Sequence, residues 1–461
     1  MENLDLKNIK GKRFHFIGIG GISMSALAFM LKKEGAIISG SDLQENQEIK
    51  KLKRVGVAIY SFHSAKNVRG ADAVVYSSAI HDDNEELIFA KKNNIPLIKR
   101  AELLGVIAER YKTIISVAGS HGKTTTTAML AEIFMQANLK PTFHIGGELV
   151  STNSNYKIGN KKFFITESCE YKDNYLFIKP DIAVALNIDA DHLDYFGSLE
   201  GVKKSFLKYA KNVRQGGIRI FSADDKNSKE LAFDKNQATF SVKDNGADIY
   251  AKNIKEYKPC FYSFDVYFNK TKLGNIKLNI IGKHNISNAL VATLISIICR
   301  IDFEVIKFSL EHFLGVKRRC EFVSNRGGAM IFHDYAHHPE QIEKMLDCGR
   351  ELADKSGGRL IAVFEPHTYS RTKFLLNDFA KSFKNADEVI FAPVYSAREE
   401  KSAGVESDVL ANETQKYVNN VKYILTYNKI FEHLLSEIKS DDVVMILGAG
   451  TIEHLADMFR K

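Results

Sequence analysis

A glycine-rich turn between an apolar run and a helix-forming run is the feature that most restricts the fold of this 461-residue chain. The stretch SVAGSHGKTTTTAMLAEIF covers residues 116–134, and its first residues predict a buried strand that ends at Val117. Gly119 and Gly122 let the backbone curl, and a helix is predicted to begin near Thr124. A strand, a glycine turn and a helix in this order are typical of α/β folds that bind a nucleotide phosphate.

The side chains after the second glycine indicate what the turn binds. Lys123 would reach the terminal phosphates of a nucleotide, and the Thr124 hydroxyl would ligate Mg²⁺. The pattern is G-x-x-G-K-T, because the common motif has a further glycine where this chain has Val117. The alternative is an ordinary strand–helix turn whose lysine binds nothing. Four consecutive threonines at a helix start have no obvious packing role, so we predict a phosphate site.

A second glycine-rich turn, FIGIGGISM, lies at residues 16–24. It matches the G-x-G-x-x-[GA] dinucleotide pattern at Gly18 and Gly20, whereas Ser23 replaces the third small residue. Asp42 follows the next apolar run, near the spacing expected of an acid that binds ribose. We therefore expect a diphosphate or a ribose-bearing ligand at this turn, and the pattern does not specify a nicotinamide.

Polar residues also follow two further apolar runs. Glu167 ends FFITE, and His192 follows ALNID together with Asp191 and Asp194. Because ligands bind beyond the carboxyl ends of parallel strands, we expect Glu167 and His192 at the same rim as Lys123. A carboxylate and an imidazole there would suit a metal ion and a γ-phosphate. The alternative is that Glu167 caps a helix and that His192 is a solvated loop residue.

The segment GKHNISNAL begins a predicted helix and carries His284, Asn285 and Asn288. Amides and an imidazole on one side of a helix would suit hydrogen bonding to a purine. Simple capping of the helix by Asn285 is the alternative, and the spacing does not distinguish the two.

The last third of the chain carries HDYAHHPEQI and FEPHTYSRTKF, with His337, His338 and Arg371 after predicted strands. Cationic and imidazole groups at strand ends suit recognition of a carboxylate or a reacting phosphate, and a polar surface loop is the alternative. Arg318 and Arg319 lie at the start of this part. An arginine there could reach a phosphate or form an interdomain salt bridge.

Apolar runs alternate with amphipathic runs along most of the chain, which predicts α/β units with parallel sheets. Residues 215–282 differ and predict a few antiparallel strands attached to the second unit. The net charge of +8 contains no block of like charges, so a nucleic-acid arm is disfavoured. Five cysteines without a C-x-x-C pair disfavour a disulfide framework or a zinc site. Without a secretory pattern or a long apolar run, we expect a cytosolic protein.

Six motifs, taken in order, resemble those of the Mur ligases, the ATP-dependent amide ligases that build the peptide stem of the cell wall. They are HFIGIGGISMSALA, GSHGKTTTT, NIDADHLDYFGS, GKHNISNAL, DYAHHPEQI and FEPHTYSRT. The resemblance covers essentially the whole chain and implies three α/β domains. These are a Rossmann-like UDP-sugar domain at 1–102, a central P-loop ATPase-type domain with a mixed sheet at 103–315, and a Rossmann-like domain at 316–461 that binds the amino acid and closes over ATP.

The motifs are similar to those of the alanine-adding member in particular. This implies that the lactyl carboxylate of UDP-N-acetylmuramate takes the γ-phosphoryl group of ATP, and that L-alanine then attacks the acyl phosphate. The products would be UDP-N-acetylmuramoyl-L-alanine, ADP and phosphate. The implied cofactors are ATP and Mg²⁺ or Mn²⁺. We expect no nucleic-acid or membrane partner, and a monomer or a weak homodimer.

The resemblance also implies roles for individual positions. The catalytic set would be Lys123, Glu167, His192, Arg319 (or its neighbour Arg318) and Asp334, with metal ligands Thr124, Glu167 and His192. ATP would contact the turn residues Gly119, Ser120, His121, Gly122, Lys123, Thr124 and Thr125, and also His284, Asn285, Asn288 and Tyr335. UDP-sugar contacts would come from Gly18, Gly20, Gly21, Ser41, Asp42, Ser77 and Ser78. The amino-acid pocket would contain His337, His367 and Arg371.

Two positions depart from patterns within the family. Thr368 stands where many members have arginine, which removes one cationic contact to the alanine carboxylate. Several sister ligases have a carbamoylated lysine at a position that a gapless count places at Phe206, close to Lys203 and Lys204. The competing functions are a murein-tripeptide ligase that uses the same sugar nucleotide, an NAD-dependent oxidoreductase and a non-catalytic nucleotide-binding protein.

Overall fold

The computed structural model describes residue 6 and residues 8–77, 79–396, 399 and 406–460. It contains three sheets with helices between their strands, which confirms the predicted α/β class. The chain packs as two compact units. One runs through residue 253 and includes 264–276 and 285–313; the other comprises 254–263, 277–284 and the chain from 314 onward. The domain boundaries at 102 and 315 remain predictions.

The first sheet has five strands, all parallel, in the order β3-β2-β1-β4-β5. Its strands are β1 (Arg13–Ile17), β2 (Ile37–Ser41), β3 (Ala58–Tyr60), β4 (Ala73–Tyr76) and β5 (Leu97–Lys99). The helices between and after them are α1 (Ile22–Lys33), α2 (Gln47–Arg54), α3 (Glu85–Lys92) and α4 (Arg100–Ala108), with a 3₁₀ turn at Ala65–Val68. The parallel order brings the carboxyl ends of β1, β2 and β4 together, beside the first glycine turn.

The second sheet has ten strands in the order β15-β14-β13-β12-β11-β10-β6-β9-β7-β8. They are β6 (Thr113–Ala118), β7 (Thr142–Leu149), β8 (Ser154–Lys157), β9 (Phe163–Glu167), β10 (Ile182–Ala185), β11 (Ile218–Ser222), β12 (Gln237–Ser241), β13 (Ile249–Lys258), β14 (Phe261–Phe268) and β15 (Thr271–Lys277). Its helices are α5 (Lys123–Gln136), α6 (Leu193–Phe196), α7 (Leu199–Lys211), α8 (His284–Ile298) and α9 (Phe303–Glu311), with 3₁₀ segments at Tyr171–Phe177 and Ser228–Leu231. β6 is parallel to both β9 and β10, so three strands end at the Gly-Lys-Thr turn.

The third sheet has six strands in the order β16-β17-β21-β18-β19-β20, and only the β16–β17 pair is antiparallel. They are β16 (Glu321–Arg326), β17 (Ala329–Asp334), β18 (Leu360–Phe364), β19 (Glu388–Phe391), β20 (Asn420–Tyr423) and β21 (Val443–Leu447). The helices are α10 (Pro339–Ser356), α11 (Tyr369–Phe374), α12 (Leu376–Ser382), α13 (Ser407–Thr414), α14 (Tyr427–Glu437) and α15 (Glu453–Arg460). Across the described residues, every helix is too short or too polar to cross a bilayer.

The threonines of the Gly-Lys-Thr segment are explained by the first turns of α5. The Thr127 hydroxyl donates to the Lys123 carbonyl over 2.8 Å, and the Thr126 hydroxyl donates to the Asn288 side chain over 3.2 Å. Both threonines are fully buried. Threonine is a poor helix former, and these hydrogen bonds offset part of that cost while fixing the start of the helix.

Gly105, in the middle of α4, tests how tightly the first unit packs. A helical glycine normally gains up to about 1 kcal/mol when replaced by alanine. Here an added Cβ would lie 2.2 Å from the Phe177 carbonyl oxygen. We therefore expect Gly105→Ala to destabilise the fold by roughly 1–3 kcal/mol instead of stabilising it. Thermal unfolding measures the change. Gly21→Ala is the control, because its nearest heavy-atom neighbour would be 3.5 Å away; equal melting temperatures for the two variants would contradict the packing described.

Candidate active site

The Gly-Lys-Thr turn has the backbone of a phosphate loop. Gly119 and Gly122 adopt φ of +144° and +85°, which side chains rarely tolerate. The Lys123 ammonium donates to the Gly119 carbonyl over 2.5 Å and to the Ser120 carbonyl over 3.3 Å. It therefore lies across the turn at the N-terminus of α5, where helix and lysine both favour an anion.

Thr124 and Glu167, which the family resemblance names as metal ligands, are in direct contact. The Thr124 hydroxyl donates to Glu167 Oε2 over 2.7 Å. Gly146 on β7 leaves room for this carboxylate, since a Cβ there would lie 1.8 Å from Glu167 Oε1. A hydroxyl and a carboxylate at this spacing are oxygen ligands of the kind that Mg²⁺ prefers.

Glu170 lies three residues beyond Glu167 and is 1% exposed. Its Oε1 is 3.0 Å from Lys123 Nζ and 3.9 Å from His192 Nε2. Its Oε2 is buried and has no hydrogen-bond partner among the described residues. With Asp191 and His192 it forms a group whose ligand atoms lie within 4.8 Å of one another. A buried carboxylate oxygen without a partner is costly, so this group fits a second cation.

The loop after β10 braces the phosphate turn from one side. The Asn187 side chain accepts from the His121 amide over 2.7 Å and donates to the His121 carbonyl over 3.1 Å. The Ser120 hydroxyl accepts from the Asp189 amide over 2.9 Å, and His121 Nε2 is 3.4 Å from Asp189 Oδ2. These contacts hold Ser120 and His121 in place, while the half-buried Thr125 follows on α5.

The two asparagines predicted on the purine side are buried. Asn288 donates to Asn285 Oδ1 over 2.9 Å, and its own oxygen accepts from Thr126. Asn288 Oδ1 would also be 2.6 Å from a Cβ at Gly122. The pair therefore fixes α5 and the phosphate turn through α8. His284 is the exposed first residue of α8.

The first glycine turn is fixed by the acid predicted to bind ribose. Asp42 Oδ2 accepts from the Gly20 amide over 2.9 Å, and the Gly18 amide donates to the Ser41 carbonyl over 2.8 Å. Gly21 is the N-cap of α1. One oxygen of Asp42 thus shapes the turn itself. The element at this turn that favours an anion is the N-terminus of α1.

Ser41 belongs to a buried ionic cluster around Glu86. The Ser41 hydroxyl donates to Glu86 Oε2 over 2.6 Å, and His63 Nδ1 is 3.1 Å from the same oxygen. Asn67 donates to Oε1 over 2.8 Å. The hydrogen bonds and His15 outweigh burial and lower the pKa of Glu86 to about 2.

The remaining residues predicted on the sugar side follow β4. Ser77 accepts from the Ala79 amide over 3.4 Å, at the same sheet edge as the glycine turn. Ser78 lies outside the described residues.

In the second unit, the two neighbouring arginines have different environments. Arg318 is already engaged: its guanidinium donates to the Gly448 carbonyl over 2.9 Å and pairs with Glu453 over 3.2 Å. Arg319 is exposed, 5.9 Å from the centre of the Tyr335 ring. Arg319 is therefore the better candidate for a phosphate contact.

Asp334, at the end of β17, is buried and fixed by two backbone amides. Oδ2 accepts from Cys320 and Oδ1 from Ala336, each over 2.7 Å. Burial raises its pKa. Both oxygens shape the turn that carries Arg319 and Tyr335, so the geometry favours a positioning role over direct chemistry.

The three residues of the predicted amino-acid pocket lie together in the second unit. The His337 and His367 ring centres are 6.0 Å apart. Burial lowers the pKa of His337 to about 4 and also lowers that of His367, with Arg371 adding to both effects. His367 Nδ1 and Arg371 Nη1 are buried without a hydrogen-bond partner among the described residues. A guanidinium N–H and an imidazole nitrogen that are both unpartnered fit a small carboxylate.

Thr368 caps the short helix that carries Arg371. Its side chain accepts from the Arg371 amide over 3.4 Å, and its φ is +68°. Thr368, which stands where many family members have arginine, thus fixes the start of the helix that carries Arg371.

Comparison with known proteins gives the family. Residues 13–112 match the Mur ligase family catalytic domain, 117–296 the Mur ligase middle domain and 318–450 the glutamate ligase domain of Mur ligases. The UDP-N-acetylmuramate–L-alanine ligase of Caldanaerobacter subterraneus subsp. tengcongensis is 42% identical over 452 residues, which are 98% of this chain and 97% of that protein. The chain belongs to the Mur ligase family.

Two solved Mur ligase structures are similar to this one. The UDP-N-acetylmuramate–alanine ligase of Thermotoga maritima gives a TM-score of 0.81 at 26% identity, covering 97% of this chain and 98% of that one. A murein peptide ligase of Psychrobacter arcticus gives 0.71 at 24% identity with the same coverage, which shows the shared fold alone.

Several residues of this Mur ligase site were missed in the sequence. Glu170, Asn187 and Gly146 all touch predicted residues. Glu170 had a detectable signal, since it follows Glu167 by three residues beyond the same strand. The roles of Asn187 and Gly146 depend on contacts between distant segments, which periodicity does not encode.

The Glu86 cluster predicts a pH-dependent stability. Folding lowers the pKa of Glu86 from 4.5 to about 2, so its charge stabilises the fold above pH 4.5 and ceases to do so as the pH falls towards 2. We expect Glu86→Gln to lower the free energy of unfolding by on the order of 2 kcal/mol at neutral pH, and by less at each step below pH 4.5. Melting temperatures measured across this range test the prediction. The exposed neighbour Glu85→Gln is the control, and a pH-independent difference for Glu86→Gln would contradict it.

Proposed function

We propose that this chain joins L-alanine to the lactyl carboxylate of UDP-N-acetylmuramate at the expense of ATP, through an acyl phosphate. The full-length similarity to alanine-adding Mur ligases supports the substrates. The observation that carries the proposal is the set of Lys123, Thr124 and Glu167 at one turn. Because its substrates are nucleotides, we expect it to act in the cytoplasm.

On the ATP side, the phosphate turn and Lys123 would bind the β- and γ-phosphates. Lys123 is held by Glu170 and two carbonyls, so it is already placed over the turn. Thr124 and Glu167 would hold Mg²⁺ or Mn²⁺, and Glu170, Asp191 and His192 would hold a second ion. When bound, these ions would neutralise charge on the transferring phosphoryl group.

On the sugar side, the amides of the first glycine turn would bind the diphosphate of UDP at the N-terminus of α1. Asp42 keeps the turn in shape through Gly20. The two turns would thus hold two different nucleotides, with the reacting carboxylate between them.

The chemistry needs alignment and charge neutralisation more than covalent catalysis. An oxygen of the lactyl carboxylate attacks the γ-phosphorus, and ADP leaves. The alanine amine then attacks the acyl carbon, and phosphate leaves. Arg319 would stabilise charge on the phosphoryl group, while Arg371, His337 and His367 would bind the alanine carboxylate.

A phosphate-release assay with UDP-N-acetylmuramate and ATP tests the function. Release should require both, and L-alanine should support it, whereas the L-alanyl-γ-D-glutamyl-meso-diaminopimelate tripeptide should not. Preference for the tripeptide would replace the proposal by a murein-tripeptide ligase. Hydride transfer without phosphate release would indicate an oxidoreductase.

Lys123→Ala should reduce phosphate release by at least about 10³-fold, because it removes the charge nearest the moving phosphoryl group. The control is Lys208→Ala on the exposed face of α7, which should leave the rate unchanged. Steady-state rates at saturating substrates measure both. An unchanged rate in Lys123→Ala would mean that the activity belongs to a contaminant.

Arg371→Leu should raise KM for L-alanine by about 10- to 100-fold while leaving KM for ATP within a factor of two, since it removes a desolvated cation from the amino-acid pocket. Arg350→Leu on α10 is the matched control, because Arg350 pairs with Asp387 and Asp354 instead. Equal effects of Arg371→Leu on the two KM values would refute the assignment.

A further inference from the structure

Arg100 is the first residue of α4, directly after β5, and none of the motifs includes it. Its Nη1 donates to the Ser23 hydroxyl over 3.1 Å. Among the described residues, no carboxylate lies within 4.0 Å of this guanidinium, and its electrostatic partners are Glu167 and Cys169. Within the described part of the chain, Arg100 is thus a cation that interacts electrostatically with Glu167 and has only the Ser23 hydroxyl as a direct hydrogen-bond partner.

Arg100 is half-buried, and the resulting desolvation lowers the pKa of its guanidinium while leaving it charged. A desolvated charge without an anionic partner destabilises a fold. In the same unit, Arg110 and Arg214 each pair with an acid. The environment of Arg100 therefore favours the binding of an anion.

A directional chain of hydrogen bonds holds Arg100 in position. Ser23 Oγ is 2.9 Å from His144 Nε2, and His144 Nδ1 is 3.4 Å from Thr166 Oγ1, which donates to the Glu167 carbonyl over 3.0 Å. Burial lowers the pKa of His144 to about 3, so the ring is neutral. Since arginine can only donate, Ser23 accepts from Arg100 and donates to Nε2, and Nδ1–H donates to Thr166.

This chain connects the two phosphate turns. Ser23 lies in the first turn of α1, just after the first glycine turn, and Glu167 is the partner of Thr124 at the second. Asn155 adds a second link, because its side chain donates to the Ile22 carbonyl over 3.0 Å. Arg100 is therefore fixed between the place proposed for the UDP diphosphate and the place proposed for the ATP phosphates.

We propose that Arg100 binds the lactyl carboxylate of the sugar nucleotide and positions it for phosphoryl transfer, so that it selects substrates that carry this carboxylate. The assignment rests on the proposed function. Arg100 can present two parallel N–H groups to a carboxylate, and the Ser23–His144 chain keeps the guanidinium from turning away. The neutral His144 adds no charge that would compete for the substrate.

The test compares two ligands that differ only in the lactyl group. Binding of UDP-N-acetylmuramate and of UDP-N-acetylglucosamine is measured by calorimetry on the full chain without ATP. The wild type should bind the muramate more tightly. Arg100→Met should weaken muramate binding by about 10- to 100-fold and glucosamine binding by less than about threefold, which removes the preference. Arg100→Lys should retain part of it.

The matched control is Lys99→Met, which removes the same charge from the exposed neighbouring residue and should keep the preference. Ser23→Ala, which breaks the hydrogen-bond chain, should give a smaller loss in the same direction. Melting temperatures show that each variant is folded, and Arg100→Lys serves as the test if Arg100→Met is not. If the preference for the muramate survives the loss of Arg100, or if both ligands lose affinity equally, the assignment of Arg100 is wrong and the proposed function stands. A wild type that binds neither nucleotide sugar overturns the proposed function and the assignment with it.

Discussion

The parallel pairing of β6 with β9 is the constraint on which the rest of the site depends. It places Val117 beside Glu167, so the Gly-Lys-Thr turn and the Glu167 carboxylate leave the sheet at the same height. A slip of one residue would turn Glu167 to the opposite face and remove its contact with Thr124. Buried β-branched residues on both strands hold this register, because a slip would move each of them to the opposite face of the sheet.

Residues that follow strand ends could be predicted because the relevant physics is local. A glycine turn between a strand and a helix predicts an anion site from sequence alone, and parallel strands bring their carboxyl ends to one edge. The position of Glu167 at the rim of the Gly-Lys-Thr turn follows from these two rules. The alternation of apolar and amphipathic runs predicted the α/β class of the third sheet, although its edge strands β16 and β20 carry weaker apolar patterns.

The residues that support the site could not be predicted, since their partners are distant in the chain. Ser23 meets His144 across 121 positions, and Asn288 meets Thr126 across 162. The assignment of Asp42 to a ligand stays a prediction, and the structure shows that its Oδ2 accepts from the Gly20 amide of the glycine turn. A carboxylate near a loop can serve either purpose, and only the fold determines which backbone donors reach it first.

Phe206 bears on the proposal that this chain binds a second cation. It occupies the position of their carbamoylated lysine by gapless count, yet it is fully buried against Tyr175 at 5.5 Å between ring centres. Lys203 pairs with Glu200 and Glu230 instead. In the proposed second-cation site, the anionic charge would instead come from the Glu170 carboxylate. Its Oε1 is 3.9 Å from His192 Nε2, and its Oε2 has no hydrogen-bond partner among the described residues.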